Sequence, residues 1–181
     1  MIDTIQVISR KNAAAGKFDK SKPYFIISIT DPGTGIVKFD ETDKNFRGVF
    51  RQMFFDAEYV SAQKPIIYTE EMAKKVVAIV KKLEASKEKI NLVIHCHAGL
   101  SRSPSTAAAI SKYLGDNDKY FLIKFYPNYR VYDLLVKAFG MESDADEAFD
   151  LTKSRNFNYE YFSEGSDELV YDRAITASNV F

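Results

Sequence analysis

A chain of 181 residues, 46% hydrophobic and 28% charged, suits one globular domain with a sizeable core. Its single cysteine excludes an internal disulfide, its first residues MIDTIQVISRKN hold no apolar signal core, and no run reaches the ~18 apolar residues of a membrane span. The net charge of zero conceals an asymmetry: residues 141–181 carry ten acids and three bases, which leaves residues 1–140 at +7. A soluble cytoplasmic protein with an anionic ligand is expected, and no membrane partner; charge alone does not separate phosphorylated protein from nucleic acid.

In chain order, TIQVIS (4–9) reads as a short strand and PYFIISITD (23–31) as a stronger one, stopped by Asp31-Pro32-Gly33. GVFRQMFFD (48–56) reads as a third, ending on an acid. Thr69 caps a helix with Glu70 and Glu71 in its first turn, and Met72, Val76, Val77, Val80 and Leu83 recur at helical spacing. NLVIHC (91–96) is a compact apolar strand of the kind found at the centre of a sheet. PSTAAAISKYLG reads as a helix closed by Gly115, KYFLIKFYPN (119–128) fits strand or helix, and residues 129–139 form a last helix before Gly140. Strands alternating with helices predict an α/β fold with a central, mostly parallel sheet flanked by helices. The charge switch divides the chain into a body, 1–140, and an acidic extension, 141–181, docked or disordered. The extension's Phe149, Leu151, Phe157, Tyr159, Tyr161, Phe162 and Tyr171 are its candidate docking groups.

The stretch HCHAGLSRS (95–103) contains both histidines and the only cysteine. It follows a buried strand and precedes a helix, where α/β sheets bind ligands. Gly99 tolerates positive φ and lets the backbone curl, so the N–H groups of His97, Ala98, Gly99, Leu100, Ser101 and Arg102 can point inward as an anion nest. The helix starting near Arg102 adds its positive end, and the guanidinium matches two phosphate oxygens. The same donors favour a thiolate at Cys96, which makes it a candidate nucleophile facing a bound phosphorus. Ser103 is placed to donate a hydrogen bond to the sulfur. His95 orients the loop from the strand side, and His97 contributes mainly its backbone N–H. Strand alternation sends the two histidines to one face and the cysteine to the other, and no further His or Cys exists to complete a tetrahedral site, so no metal is expected.

HCHAGLSRSPS, the preceding LVIHC and the Ala-rich helix resemble the cysteine-dependent protein tyrosine phosphatases. The likeness is to the dual-specificity branch, with ISITDPG and FFDAEY similar to segments of compact bacterial and phage members. It extends over about residues 5–140, including Pro127-Asn128 ahead of the last core helix. It implies a phosphatase-like α/β fold with a C-x5-R phosphate-binding loop, an aspartate general acid, a cysteinyl-phosphate intermediate and no metal or other cofactor. The implied substrate is a phosphorylated protein or peptide rather than nucleic acid: phosphotyrosine, with phosphoserine and phosphothreonine open. The family's acid lies on a loop upstream of the helix that precedes the nucleophile strand, which favours Asp56. Its separation from Cys96 is 40 residues, longer than in the smaller members, and SAQKPIIY would be the extra loop.

Asp56 also reads as a turn former, and Glu58 and Asp31 stay as alternative acids. Asn128 is either a plain helix cap or a brace for the phosphate loop. Lys74, Lys75, Lys81 and Lys82 read as a solvated helix face. A rhodanese-like sulfurtransferase and a non-catalytic phosphate-binding module are the competing functions. Phosphoinositide enzymes carry lysines inside this loop, where His97 and Leu100 stand here, and RNA triphosphatase relatives end it in Arg-Thr. The extension suggests a regulatory cover: Glu160 and Glu164 around Tyr159 and Tyr161 resemble an acidic tyrosine-bearing substrate. Oligomeric state is not legible.

Overall fold

The computed structural model describes residues 1–146, Asp150 and the strand Leu169–Asp172. A five-stranded sheet runs through it in the order β3-β2-β4-β1-β5. The strands β1 (Ile2–Ser9), β2 (Tyr24–Thr30), β3 (Phe46–Met53) and β4 (Ile90–Cys96) are all parallel. The edge strand β5 (Leu169–Asp172) pairs antiparallel with β1, Thr4 opposite Asp172. The strand β4 lies between β2 and β1 and is buried at every residue, as its apolar run requires.

Side chains alternate across β4. Leu92, Ile94 and Cys96 join the larger core, which is filled by helices α2 (Glu70–Glu84), α3 (Arg102–Tyr113), α4 (Lys119–Lys124) and α5 (Tyr129–Ala138). Val93 faces the smaller core, covered by α1 (Arg10–Ala14) and by Phe18, Val37, Phe39 and Phe46. Helices α2 to α5 therefore share one face, while the other is closed by one short helix and irregular chain. Small residues at Ala107, Ala108 and Ala109, all fully buried, let α3 sit tightly in the larger core.

Helix α2 begins where its cap predicts. Thr69 Oγ1 accepts the Met72 N–H at 3.3 Å, Glu70 and Glu71 occupy the first turn, and Lys81 and Lys82 the last. Lys74, Lys75, Lys81 and Lys82 are exposed, and Lys75 pairs with Glu71 one turn away at 3.6 Å. The ambiguous 119–128 segment is helical in its first half. Phe121, Leu122 and Phe125 are buried at helical spacing, and the chain then straightens ahead of Pro127. The third strand ends at Met53, earlier than the sequence suggests, so Asp56 lies in the loop beyond it.

Packing continues past Gly140. Ala145 belongs to the larger core, and Asp144 accepts from Lys112 Nζ and from the Tyr132 hydroxyl. Glu160, Glu164, Tyr159 and Tyr161, like Phe149, Leu151, Phe157 and Phe162, lie outside the described residues. Among the described residues, no helix is long and apolar enough to cross a membrane.

Candidate active site

The parallel strands deliver their carboxyl ends to one rim. Asp31 follows β2, Phe54 to Asp56 follow β3, and Cys96 ends β4. Asp31, Phe55, Asp56 and Cys96, together with Lys64, His97, Ala98, Leu100, Ser101 and Arg102, line a cleft of about 410 Å³.

The loop between Cys96 and Arg102 leans on the end of β1. Gly99 has φ of +76°, and a Cβ there would come within 2.8 Å of the Ile8 carbonyl carbon and 2.9 Å of the Ser9 nitrogen. The backbone of β1 leaves room for hydrogen alone, which explains glycine at this position. The Arg10 N–H donates to the His97 carbonyl at 3.0 Å, and the Tyr126 N–H donates to the Leu100 carbonyl at 2.9 Å. The loop is thus pinned from β1 and from the chain leading into α5.

Cys96 is buried, and Ser103 Oγ donates to its Sγ at 3.1 Å. His95 points to the opposite side, its Nε2 2.8 Å from Ser28 Oγ and its ring 6.0 Å from that of Phe39. Burial, the largest cause, pushes His95 from the ordinary 6.5 down to about 4, and Arg10, Arg51 and Arg102 push the same way. Burial thus favours the neutral imidazole, which bonds Ser28 on the neighbouring strand. His97 is exposed at the cleft.

Arg102 opens α3 and is only 2% exposed. Its Nη1 donates to Asp31 Oδ1 at 2.9 Å and to the Phe54 carbonyl at 2.6 Å, and its guanidinium carbon lies 5.7 Å from the Phe54 ring centre. One edge of the fork is therefore fixed by protein. Its Nε is buried with no hydrogen-bond partner among the described residues, and Asp56 Oδ2 stands 3.8 Å away. A buried N–H without an acceptor is costly unless something else supplies one. A tetrahedral oxyanion seated in the loop would.

Asp56 is held on three sides. Its Oδ1 accepts from Ser101 Oγ at 2.8 Å and from Asn128 Nδ2 at 2.9 Å, and its carbonyl accepts from Lys64 Nζ at 2.9 Å. The cap is observed at Asn128: its Oδ1 accepts the Val131 N–H at 3.0 Å at the start of α5. Its Nδ2 touches Asp56 rather than the 96–102 loop, and the Asp56 carboxylate in turn accepts from Ser101 of that loop. Of the alternative acids, Asp31 lines the cleft but faces Arg102, and Glu58 is engaged elsewhere, its Oε1 accepting the Tyr129 N–H at 3.3 Å. Two features were not readable from the sequence: the clamp on Arg102 from Asp31 and Phe54, and Lys64 in the cleft. The clamp joins residues far apart in the chain, and the place of Lys64 depends on how the 55–66 loop folds back on itself. Among the described residues there is no cluster of three or more His, Cys, Asp or Glu that could hold a metal ion.

No family model matches the chain, and no curated protein does. Among solved structures, the chain is similar to PTPMT1 crystallised in complex with PI(5)P, at 14% identity and a TM-score of 0.48, over 81% of this chain and 93% of that one. It is also similar to Tk-PTP in its active form, at 12% identity and a TM-score of 0.42, over 84% of this chain and 93% of that one. A third similarity is to the protein tyrosine phosphatase TcPTP1 of Trypanosoma cruzi, at 15% identity and a TM-score of 0.29, over 78% of this chain and 61% of that one.

Proposed function

We propose that the chain hydrolyses phosphate monoesters on protein, phosphotyrosine foremost, through a cysteinyl-phosphate intermediate, as a dual-specificity-type phosphatase. One observation carries the reading. A single cleft joins a thiol that accepts from Ser103, a buried arginine whose Nε has no acceptor among the described residues, and an aspartate 3.8 Å from that Nε. Phe55 and Leu100 in the cleft wall support an aromatic leaving group.

The chemistry runs in two steps. The phosphate sits on the loop N–H groups, with two of its oxygens on Arg102 Nε and Nη2, the edge that Asp31 and Phe54 leave open. The Cys96 thiolate forms a bond to phosphorus as the bond to the ester oxygen breaks. Asp56 Oδ1 is taken by two donors, so Oδ2 is the oxygen left to carry a proton, and that proton goes to the departing oxygen. In the second step water gives a proton to Asp56 and its oxygen attacks phosphorus. The S–P bond breaks, and the Ser103 hydroxyl stabilises the thiolate that leaves. Phosphate departs and both groups return to their starting states. Fixed donors aimed at the equatorial oxygens supply the main stabilisation of the transition state.

The presence of Asp56 in the cleft favours hydrolysis over the binding-module reading, and over the sulfurtransferase reading, because sulfur transfer expels sulfite and a thiolate, neither of which needs a proton from an acid. Release of phosphate from p-nitrophenyl phosphate in the presence of a chelator, lost in Cys96→Ser, is the expected result. Undiminished release by that variant would end the reading.

A further inference from the structure

The loop that lengthens the path from Asp56 to Cys96 has a defined shape. The Phe55 N–H donates to the Ile66 carbonyl at 2.8 Å and closes its base. At its tip Ser61 and Lys64 exchange both backbone bonds, at 3.2 and 3.1 Å, and the Lys64 N–H is also 3.1 Å from Ser61 Oγ. This turn fixes the backbone of Lys64, and the bond from Nζ to the Asp56 carbonyl fixes its side chain over the cleft. The result is a solvent-accessible ammonium whose side chain is anchored at the cleft mouth.

Its charge is also uncompensated. Asp31 and Asp56, the carboxylates of the cleft, both face Arg102, and no carboxylate pairs with Lys64 among the described residues. An ammonium has three donor protons, and the Asp56 carbonyl takes one. Two remain for an acceptor brought by the substrate. The phosphate itself belongs to the loop and Arg102, so this acceptor is a second anionic group on the leaving-group side.

We infer that Lys64 is a specificity-determining residue that binds a carboxylate beside the phosphorylated side chain, so that the preferred substrate is an acidic phosphotyrosine peptide. The inference rests on the phosphatase reading and narrows it. A peptide suits the site better than an inositol polyphosphate headgroup. The walls beside the loop are apolar at Phe55, Ala98 and Leu100, as an aromatic ring requires, and Lys64 offers one ammonium where several ring phosphates would need several. The position also couples binding to chemistry, because Lys64 holds the backbone of the residue that carries the proton.

The test compares two phosphotyrosine peptides, one with aspartates flanking the phosphotyrosine on both sides and one with asparagines there. Each is assayed with wild type, Lys64→Gln and Lys64→Arg. Wild type should favour the acidic peptide by about fivefold in kcat/KM at low salt, the effect of a partly exposed ion pair. The preference should fall to near one in Lys64→Gln, persist in Lys64→Arg and fade as salt rises. A lysine that only positions Asp56 would lower kcat on both peptides alike and leave the ratio unchanged, which overturns the inference. So does a wild type with no preference. A Lys64→Gln defect confined to a phosphatidylinositol phosphate in phosphatidylcholine vesicles would assign the ammonium to a lipid and also overturn it. If wild type fails to release phosphate from p-nitrophenyl phosphate, the phosphatase reading itself falls, whatever the peptides do.

Discussion

Asn91 and Cys96 stand near opposite ends of the same strand, and their surroundings differ in kind. Around Asn91 every polar group is answered within the protein. Its Oδ1 accepts from Thr4 Oγ1 at 2.7 Å, and its Nδ2 donates to Gln6 Oε1 at 3.1 Å and to the Asp19 carbonyl at 2.9 Å. Gln6 Oε1 also accepts the Asp19 N–H at 3.2 Å. Around Cys96 the polar groups stop short of mutual satisfaction, with Arg102 Nε left over. Both regions are buried and hydrogen-bonded, so burial alone does not separate them. The leftover donor does, because at Arg102 it faces a cleft: a closed network stabilises the native state, whereas an open one has room for a ligand to complete it.

The largest expected break is at the open end. Cys96→Ser should lower phosphate release by roughly 10⁴-fold or more, since it removes the attacking atom. A chemical denaturation curve should stay near that of wild type. Asp56→Asn should cost about 10²–10⁴-fold. The loss should be greater on an alkyl phosphate than on p-nitrophenyl phosphate, whose leaving group needs less help from a proton. Equal losses on both would remove Asp56 from the acid role.

The closed end should respond in the opposite sense. Asn91→Leu strands Thr4, Gln6 and the Asp19 carbonyl, so the variant should lose about 3 kcal/mol of stability in urea titrations while kcat/KM is kept. A smaller and graded effect comes from His95 beneath the loop. Its folded-state value is lowered to about 4 from 6.5, so the unfolded chain binds the extra proton between these limits. Stability is then complete above the unfolded value and declines as pH falls toward the folded one, by about 1.4 kcal/mol per pH unit from this group. His95→Gln should flatten that part of the stability-against-pH curve. An unchanged slope would show that other groups produce it.

Much of the open end was legible in the sequence because it is local. A seven-residue strand, a loop of small residues and a helix start supply Cys96, the Gly99 turn, Arg102 and Ser103 within one short stretch. Asp56 was legible as a candidate from chain order, but its partners Ser101 and Asn128 lie 45 and 72 residues away and needed the fold. The role of Asp31 in clamping Arg102, 71 residues on, was hidden for the same reason. Helix α1 went unread because a five-residue helix, RKNAA, has too few turns for an apolar period, and its signal is the Ser9 cap accepting the Asn12 N–H. The 119–124 helix was ambiguous because its first turns are aromatic. The buried spacing of Phe121, Leu122 and Phe125 was the available clue.

The antiparallel pairing of β5 with β1 has a colloidal consequence. Without those four residues, β1 would end the sheet and present an open row of amide and carbonyl groups, a template for a second chain. A fragment stopping at Asp146 would keep the cleft and the Asp144 and Ala145 contacts yet carry this adhesive border. Its light scattering should rise with concentration while its activity per soluble molecule holds, the behaviour expected if Leu169–Asp172 shields β1 from self-association.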